Sequence, residues 1–301
     1  MIHRERPRRK NDKIRPVHVL ALSPSSHNGD FIPYSHSSEQ RAIMYQELGD
    51  FIQKRKKSTG GFSATPMLPA TIQDTYHALR ILAYLDKQGN AASSDEPLLD
   101  YLTNAGHAEH HNAQITFQRL ACCRMVGEDV PSQPILDFVR RRLTETNALE
   151  ERYYCCRLVR EMARHGETEF SWMLSPLTDW SFRTASELWM LLFLADRRPD
   201  NKEALTAWLQ GCQTGDGGFG FLPGTTSFME NCYDCLRALR WLGSSPRHPQ
   251  ACRDFVLACR TNNGGFARRN GAVAFFSSTW QATASLGLLV DGLDETVEPV
   301  V

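Results

Sequence analysis

Net charge is missing from this chain: Lys plus Arg and Asp plus Glu both number 34 in 301 residues. Without a net field, neither nucleic acid nor an anionic membrane surface is an expected partner. No run of about 18 apolar residues occurs, which excludes a transmembrane helix. The start is basic, through Arg4, Arg6, Arg8, Arg9, Lys10, Lys13 and Arg15, but it lacks an apolar h-region. Val17 to Leu22 is too short to be one, so no secretory signal is expected. Alternating strand patterns are essentially absent, which removes the all-β classes. Disulfide-scaffold spacing is absent too. The nine cysteines are an odd number, and Cys122-Cys123 and Cys155-Cys156 stand as adjacent pairs inside apolar helical stretches. They read as reduced, packed thiols of a cytoplasmic protein.

What is present is repetition. Gly-Gly-Phe occurs at Gly60-Gly61-Phe62, Gly217-Gly218-Phe219 and Gly264-Gly265-Phe266, and the last two copies are 47 residues apart. Each is followed by a short irregular stretch and an amphipathic helix with an aromatic near its start: Asp74-Thr75-Tyr76, Asn231-Cys232-Tyr233 and Ser278-Thr279-Trp280. Weaker copies begin near Thr116-Phe117, Tyr153-Tyr154 and Glu187-Leu188-Trp189, making six. Apolar residues recur at helical spacing in each, as at Tyr76, Leu79, Leu82 and Ala83. A second helix precedes each one, marked for instance by Leu205, Trp208, Leu209 and Cys212. The glycines are expected to end the preceding helix with a left-handed residue, and the Phe to plug the gap between hairpins. Six hairpins that each turn by about a sixth of a circle close on themselves, so the expected fold is an all-α toroid, an (α/α)6 ring of helical hairpins. The expected divisions are a polar arm over 1–38, the toroid over 39–290 and an acidic tail over 291–301. Arm and tail read as solvated chain ends.

The segment Gln213-Thr214-Gly215-Asp216-Gly217-Gly218-Phe219-Gly220 resembles the repeat of protein prenyltransferase β subunits and squalene/terpenoid cyclases. Pro223-Gly224 ahead of the Cys232-Tyr233 helix, and the run from Phe275 to Leu289, strengthen it. The resemblance spans roughly residues 45 to 290. It implies parallel inner helices around an aromatic cavity that holds an isoprenoid or other apolar small molecule. Tyr76, Phe117, Tyr154, Trp189, Tyr233 and Trp280 are the candidates to line it, against the plainer reading that they fill a core.

In that family a zinc ion held by Asp, Cys and His activates a thiolate for prenyl transfer. Glu230-Asn231-Cys232-Tyr233 resembles the Asp-x-Cys-Tyr part, so Glu230 and Cys232 are the candidate catalytic and zinc-holding residues. The position of the family's His is taken by Ser278, a poor ligand. Between the glycines and the Cys-Tyr helix the family's basic diphosphate residues are replaced by Gly224, Thr225, Thr226 and Ser227. Arg268 and Arg269 are the nearest substitutes for binding phosphate. The plainer reading of Glu230 and Cys232 is a helix-start carboxylate and a packed thiol. The cyclase proton donor, the middle Asp of Asp-x-Asp-Asp-Thr, aligns with Gln73, so that chemistry is not expected and Asp74 reads as a helix-start residue. His107, His110 and His111 fit either a metal or phosphate site or a loop at the toroid mouth. Cys232-x-x-Cys235 is a lone CxxC without a βαβ context. Two functional classes follow: an isoprenoid-using transferase, which for protein prenylation needs a partner subunit, or a degenerate toroid that binds a lipid or a protein partner.

Overall fold

The computed structural model describes residues 38–87, 96–105, 112–163, 181–195 and 199–289. Among these, the periodic apolar segments form eleven helices and no strand: α1 (Ser38–Gln53), α2 (Ile72–Lys87), α3 (Glu96–Ala105), α4 (Ala113–Met125), α5 (Ser132–Glu145), α6 (Leu149–Ala163), α7 (Ala185–Ala195), α8 (Lys202–Gly211), α9 (Met229–Trp241), α10 (Pro249–Ala258) and α11 (Phe276–Leu289). No described helix is long and apolar enough to cross a membrane.

The helices sort into two layers. Inner helices pack in the order α2, α4, α6, α7, α9, α11, and α11 returns to α2, closing a six-membered ring. Outer helices α1, α3, α5, α8 and α10 lie on α2, α4, α6, α9 and α11 respectively. Inner helices α4, α6, α9 and α11 are each reached from the previous inner helix through an outer one, so within each such step the chain returns in the same sense. Backbone hydrogen bonds tie their starts together at one end: the Ala185 amide donates to the Phe221 carbonyl (2.8 Å), and the Met229 amide to the Arg268 carbonyl (2.9 Å). Helix starts are capped locally. Asn112 Oδ1 accepts from the Ile115 amide (2.8 Å), and Thr71 and Asp74 bond reciprocally at the head of α2. Burial raises the Asp74 carboxyl, against the opposing pull of Thr71 and the Ala64 backbone.

The glycine pairs do a different job from the one expected of them. Helix α8 is already capped at Cys212, and α10 at Cys259, well before Gly217 and Gly264. Each Gly-Gly-Phe instead forms a tight turn closed by an isolated bridge, Gln213 with Phe219 and Arg260 with Phe266. The first glycine of each pair has positive φ and meets the backbone of the next outer helix. A Cβ on Gly217 would lie 2.1 Å from the Ala251 carbonyl oxygen, and one on Gly264 would lie 2.3 Å from that of Glu47. The second glycine lies under an aromatic one turn further along the same helix, Phe255 over Gly218 and Phe51 over Gly265. Because Phe51 belongs to α1, the turn of the last hairpin is covered by the first outer helix. Phe62, Phe219 and Phe266 are buried as plugs between hairpins, and each such ring contributes about 1.5–3 kcal/mol through burial.

The rest of the quoted motif is also architectural. Gln213 bonds both the amide and the carbonyl of His248 at the start of α10 (3.0 Å each). Asp216 accepts from the Gly218 amide (3.1 Å) and the Ser227 hydroxyl (2.8 Å). The motif therefore builds a hairpin turn docked on its neighbour.

Candidate functional site

The inner helices bring the six predicted aromatics to the ring interior, where the polar residues threaded among them had not been anticipated. Tyr76 meets Phe117 edge-on (centroids 5.9 Å), and Phe117 meets Tyr154 (6.1 Å). Trp189 lies beside Phe193 on its own helix (6.0 Å). Between neighbouring aromatics sit three guanidiniums. Arg80 stacks over Trp280 (4.3 Å) and near Tyr76 (5.7 Å). Arg157 stacks over Phe117 (4.0 Å) and lies within 5.9 Å of Tyr154. Arg237 stacks over Trp189 (4.4 Å) and Tyr233 (4.6 Å). Each arginine thus bridges two adjacent inner helices, α11–α2, α4–α6 and α7–α9.

Hydrogen bonds link these stacks across the ring. Tyr76 Oη accepts from Arg80 Nη1 (2.9 Å) and, from the far side of α4, from Arg157 Nη2 (3.5 Å). Tyr153 Oη accepts from Arg157 Nη1 (3.4 Å) and from Trp189 Nε1 (3.2 Å). Arg237 pairs with Asp234 (2.6 Å). Five of the six aromatics are buried and Tyr154 is half-buried. Rings and guanidiniums therefore fill this layer together, where an open aromatic wall was expected. His77, beside Tyr76, is held neutral: burial first and then the Arg80 charge bring it down to about 3, with the Gln73 carbonyl opposing and Arg157 adding to the shift.

Arg80, Arg157, Arg237 and Tyr153 were not singled out from the sequence, although a signal exists. Tyr-x-x-x-Arg occurs at Tyr76/Arg80, Tyr153/Arg157 and Tyr233/Arg237, in the first, third and fifth inner helices. On a helix that spacing stacks the guanidinium on the turn of its own tyrosine.

Glu230 and Cys232 are not brought together. Two residues apart on α9, they point to different faces. Glu230 is engaged at the mouth by Arg268, whose guanidinium also covers the Phe228 ring (4.0 Å). Cys232 is fully buried and its Sγ accepts from the Phe219 amide (3.3 Å). The same backbone contact is made by Thr75 to Phe62 and by Thr279 to Phe266 (3.0 Å each), so the thiol occupies a recurring structural position. Burial and the adjacent Cys252 push it well above an ordinary thiol. Ser278 is buried in α11, and Arg269 is exposed at the mouth. Among the described residues no group of three His, Cys, Asp or Glu side chains is placed to hold a metal. Among the described residues, Glu230 and Cys232 have no third donor beside them that would complete a zinc site. His107, His110 and His111 lie outside the described residues. All nine cysteines are buried and none forms a disulfide.

The family model of the prenyltransferase alpha-alpha toroid domain matches residues 35–299. The chain belongs to this family. Among solved structures, the toroid domain is similar to Candida albicans protein geranylgeranyltransferase-I complexed with GGPP, at 13% identity and a TM-score of 0.37, over 89% of this chain and 80% of that one. No curated protein matches it.

Proposed function

We propose that the toroid binds an isoprenoid diphosphate in its interior and holds it without zinc. The observation that carries this reading is the interleaving of six inner-helix aromatics with three arginines inside the ring. Apolar rings suit an unsaturated hydrocarbon chain, and guanidiniums suit a diphosphate. Membership of the prenyltransferase toroid family supports the same ligand class. A cation–π stack contributes about 0.5–2 kcal/mol, whereas a hydrogen bond to a charged group contributes about 1.5–3 kcal/mol. An incoming diphosphate has to outweigh both these stacks and the bonds the guanidiniums make to Tyr76, Tyr153 and Asp234, and where it does the rings are left to the chain. Transfer of the prenyl group by Glu230 and Cys232 is not part of the reading, because neither side chain is free to take up a metal.

Calorimetric titration of the full chain with geranylgeranyl diphosphate, with EDTA and with added zinc, tests this. Micromolar binding, equal under both conditions, is expected. Flat traces would sink the isoprenoid reading, and binding that needs zinc would sink its metal-free part.

A second reading, a protein-binding toroid, is favoured by one observation. Met67 (92% exposed), Leu68, Phe221, Val273 and Phe275 are exposed in the three loops that follow the Gly-Gly-Phe turns. These loops precede α2, α9 and α11, which are neighbours in the ring. Exposed apolar clusters of this kind mark contact surfaces. Flat calorimetry together with a partner lost on Phe221→Ser and Phe275→Ser would transfer the protein to this class.

A further inference from the structure

We infer that the half of the toroid mouth built by the three Gly-Gly-Phe hairpins docks on an anionic lipid surface, with the tips of its loops inserted among the headgroups. The inference stands apart from the isoprenoid reading. It gives to lipid the surface that the protein-binding reading gives to a partner chain.

Apolar exposure is concentrated on this rim. Six large hydrophobic side chains are exposed among the described residues: Met67, Leu68, Phe221, Val273 and Phe275 on the three loops, and Ile43 on α1. Single exposed side chains need no explanation, but five on adjacent loops do. The loops lie side by side where α9, α11 and α2 begin. The Met229 amide donates to the Arg268 carbonyl (2.9 Å), and Phe62 meets Phe276 edge-on (6.0 Å). Each loop is a closed turn. Bridges join Phe62 to Thr71 and Ala267 to Ala274. The amides of Leu68, Thr225 and Ala272 donate to the carbonyls of Thr65, Leu222 and Arg269 (3.2, 3.3 and 3.2 Å). The tips are therefore preformed, and inserting them costs little ordering entropy.

Charge favours lipid as the occupant. The zero net charge of the chain conceals an uneven distribution. Segments 54–71, 212–228 and 259–275, which build this rim, carry Lys54, Arg55, Lys56, Lys57, Arg260, Arg268 and Arg269 against the single acid Asp216. Arg55 is buried, and Arg260 and Arg268 pair with Glu47 and Glu230. Asp216 is turned onto the Gly218 amide and the Ser227 hydroxyl. Lys54 and Arg269 are exposed, and Lys57 keeps its charge while donating to the Pro66 carbonyl. Apolar tips flanked by cations bind a bilayer with acidic headgroups through both terms, apolar burial and electrostatic attraction. Three separate tips also suit a fluid surface, which needs no matching pocket for each.

Across the ring the turn between α5 and α6 is built differently. Residues 146–148 include no large apolar side chain, and Glu145, Glu150 and Glu151 flank them, with Arg142 pairing Glu145 and Glu151. An anionic surface would thus meet the Gly-Gly-Phe half of the mouth and be repelled from this turn.

The test is co-sedimentation of the full chain with vesicles of phosphatidylcholine alone and of phosphatidylcholine with phosphatidylserine, at low and high salt. Wild type is compared with Phe221→Ser/Phe275→Ser, Lys54→Gln/Arg269→Gln and Ile43→Ser, each checked for a native melting transition. Wild type should bind the phosphatidylserine vesicles more tightly than the neutral ones, and lose affinity as salt rises. On the phosphatidylserine vesicles, Phe221→Ser/Phe275→Ser should lower the partition by at least about tenfold. Lys54→Gln/Arg269→Gln should lower it by about fivefold for each charge and weaken the salt dependence. Ile43→Ser should match wild type. Wild type left in solution with both kinds of vesicle would overturn the inference. So would vesicle binding that survives Phe221→Ser/Phe275→Ser, or that is lost in Ile43→Ser. Self-association without vesicle binding, abolished by Phe221→Ser/Phe275→Ser, would overturn it and assign the loops to protein contact. The vesicles hold no isoprenoid, so this inference and the isoprenoid reading fail separately.

Discussion

The odd and even hairpins of the ring are built on one plan and carry different chemistry. Inner helices α2, α6 and α9 each bear a tyrosine followed four residues later by an arginine. Inner helices α4, α7 and α11 bear Phe117, Trp189 and Trp280, followed at the same spacing by Ala121, Phe193 and Ala284. Each odd helix sends its guanidinium onto the ring of an even neighbour, so the sixfold framework holds a threefold pattern of donors and acceptors of charge. The difference teaches that backbone repetition and site repetition have separate periods here. The framework needs only a buried apolar face and a turn that accepts the next outer helix. The interior needs a polar residue in every second repeat, because adjacent guanidiniums would repel while alternate ones each find an aromatic face.

Substitution separates the two kinds of hairpin by the size of the loss. The largest is expected on the even side. Phe117→Ala removes a fully buried ring and should cost about 3–5 kcal/mol in urea denaturation, through lost burial and the cavity left behind. A loss below 1 kcal/mol would mean that the even aromatics do not hold the ring together. On the odd side, His77 gives the next effect through pH. The unfolded imidazole titrates near 6.5 and the buried one near 3, so between those values the unfolded state binds a proton that the native state refuses. Stability is therefore full above pH 6.5 and falls as pH drops, by about 2 kcal/mol at pH 5. Comparing pH 7 with pH 5 in wild type and His77→Leu should show a slope that the variant lacks.

Tyr153→Phe, again on the odd side, leaves the Trp189 indole N–H and one arm of Arg157 without their acceptor. It should cost about 1–2 kcal/mol, with the near-ultraviolet signal of the tryptophans shifted. Outside the ring, Arg268→Met removes an exposed pair with Glu230 and should change stability by less than about 1 kcal/mol. If that change exceeded the Tyr153→Phe loss, the weight assigned to the interior over the mouth would be wrong.

The framework was legible because it rests on residues with few alternatives. A Cβ added to Gly217 would lie 2.1 Å from a carbonyl oxygen, so Gly217 and its two counterparts stay visible as a motif. Their role was misread because the helices end earlier, at Cys212 and Cys259, through ordinary capping that leaves no glycine signature. The six aromatics were legible as positions near the starts of the repeated helices, and the family resemblance marked them as candidates for the interior. Tyr153 was hidden by its neighbour Tyr154, since adjacent residues on a helix differ in direction by only about 100°. The arginines were hidden by their type: on an amphipathic helix an arginine reads as solvent-facing, and only the packing of six helices around one axis turns Arg80 and Arg157 inward. Cys232 shows the opposite error. Its place beside Tyr233 resembles a zinc ligand, yet its side chain takes the same backbone amide contact that Thr75 and Thr279 take in their repeats.

The most direct measurement is a crystal structure of the full chain grown with geranylgeranyl diphosphate. The ligand is expected inside the ring, with its chain against the inner-helix aromatics and its diphosphate on the arginines among them. A diphosphate seated on Arg268 and Arg269, or a ring whose arginines remain stacked on their aromatics with no ligand between them, would contradict the account.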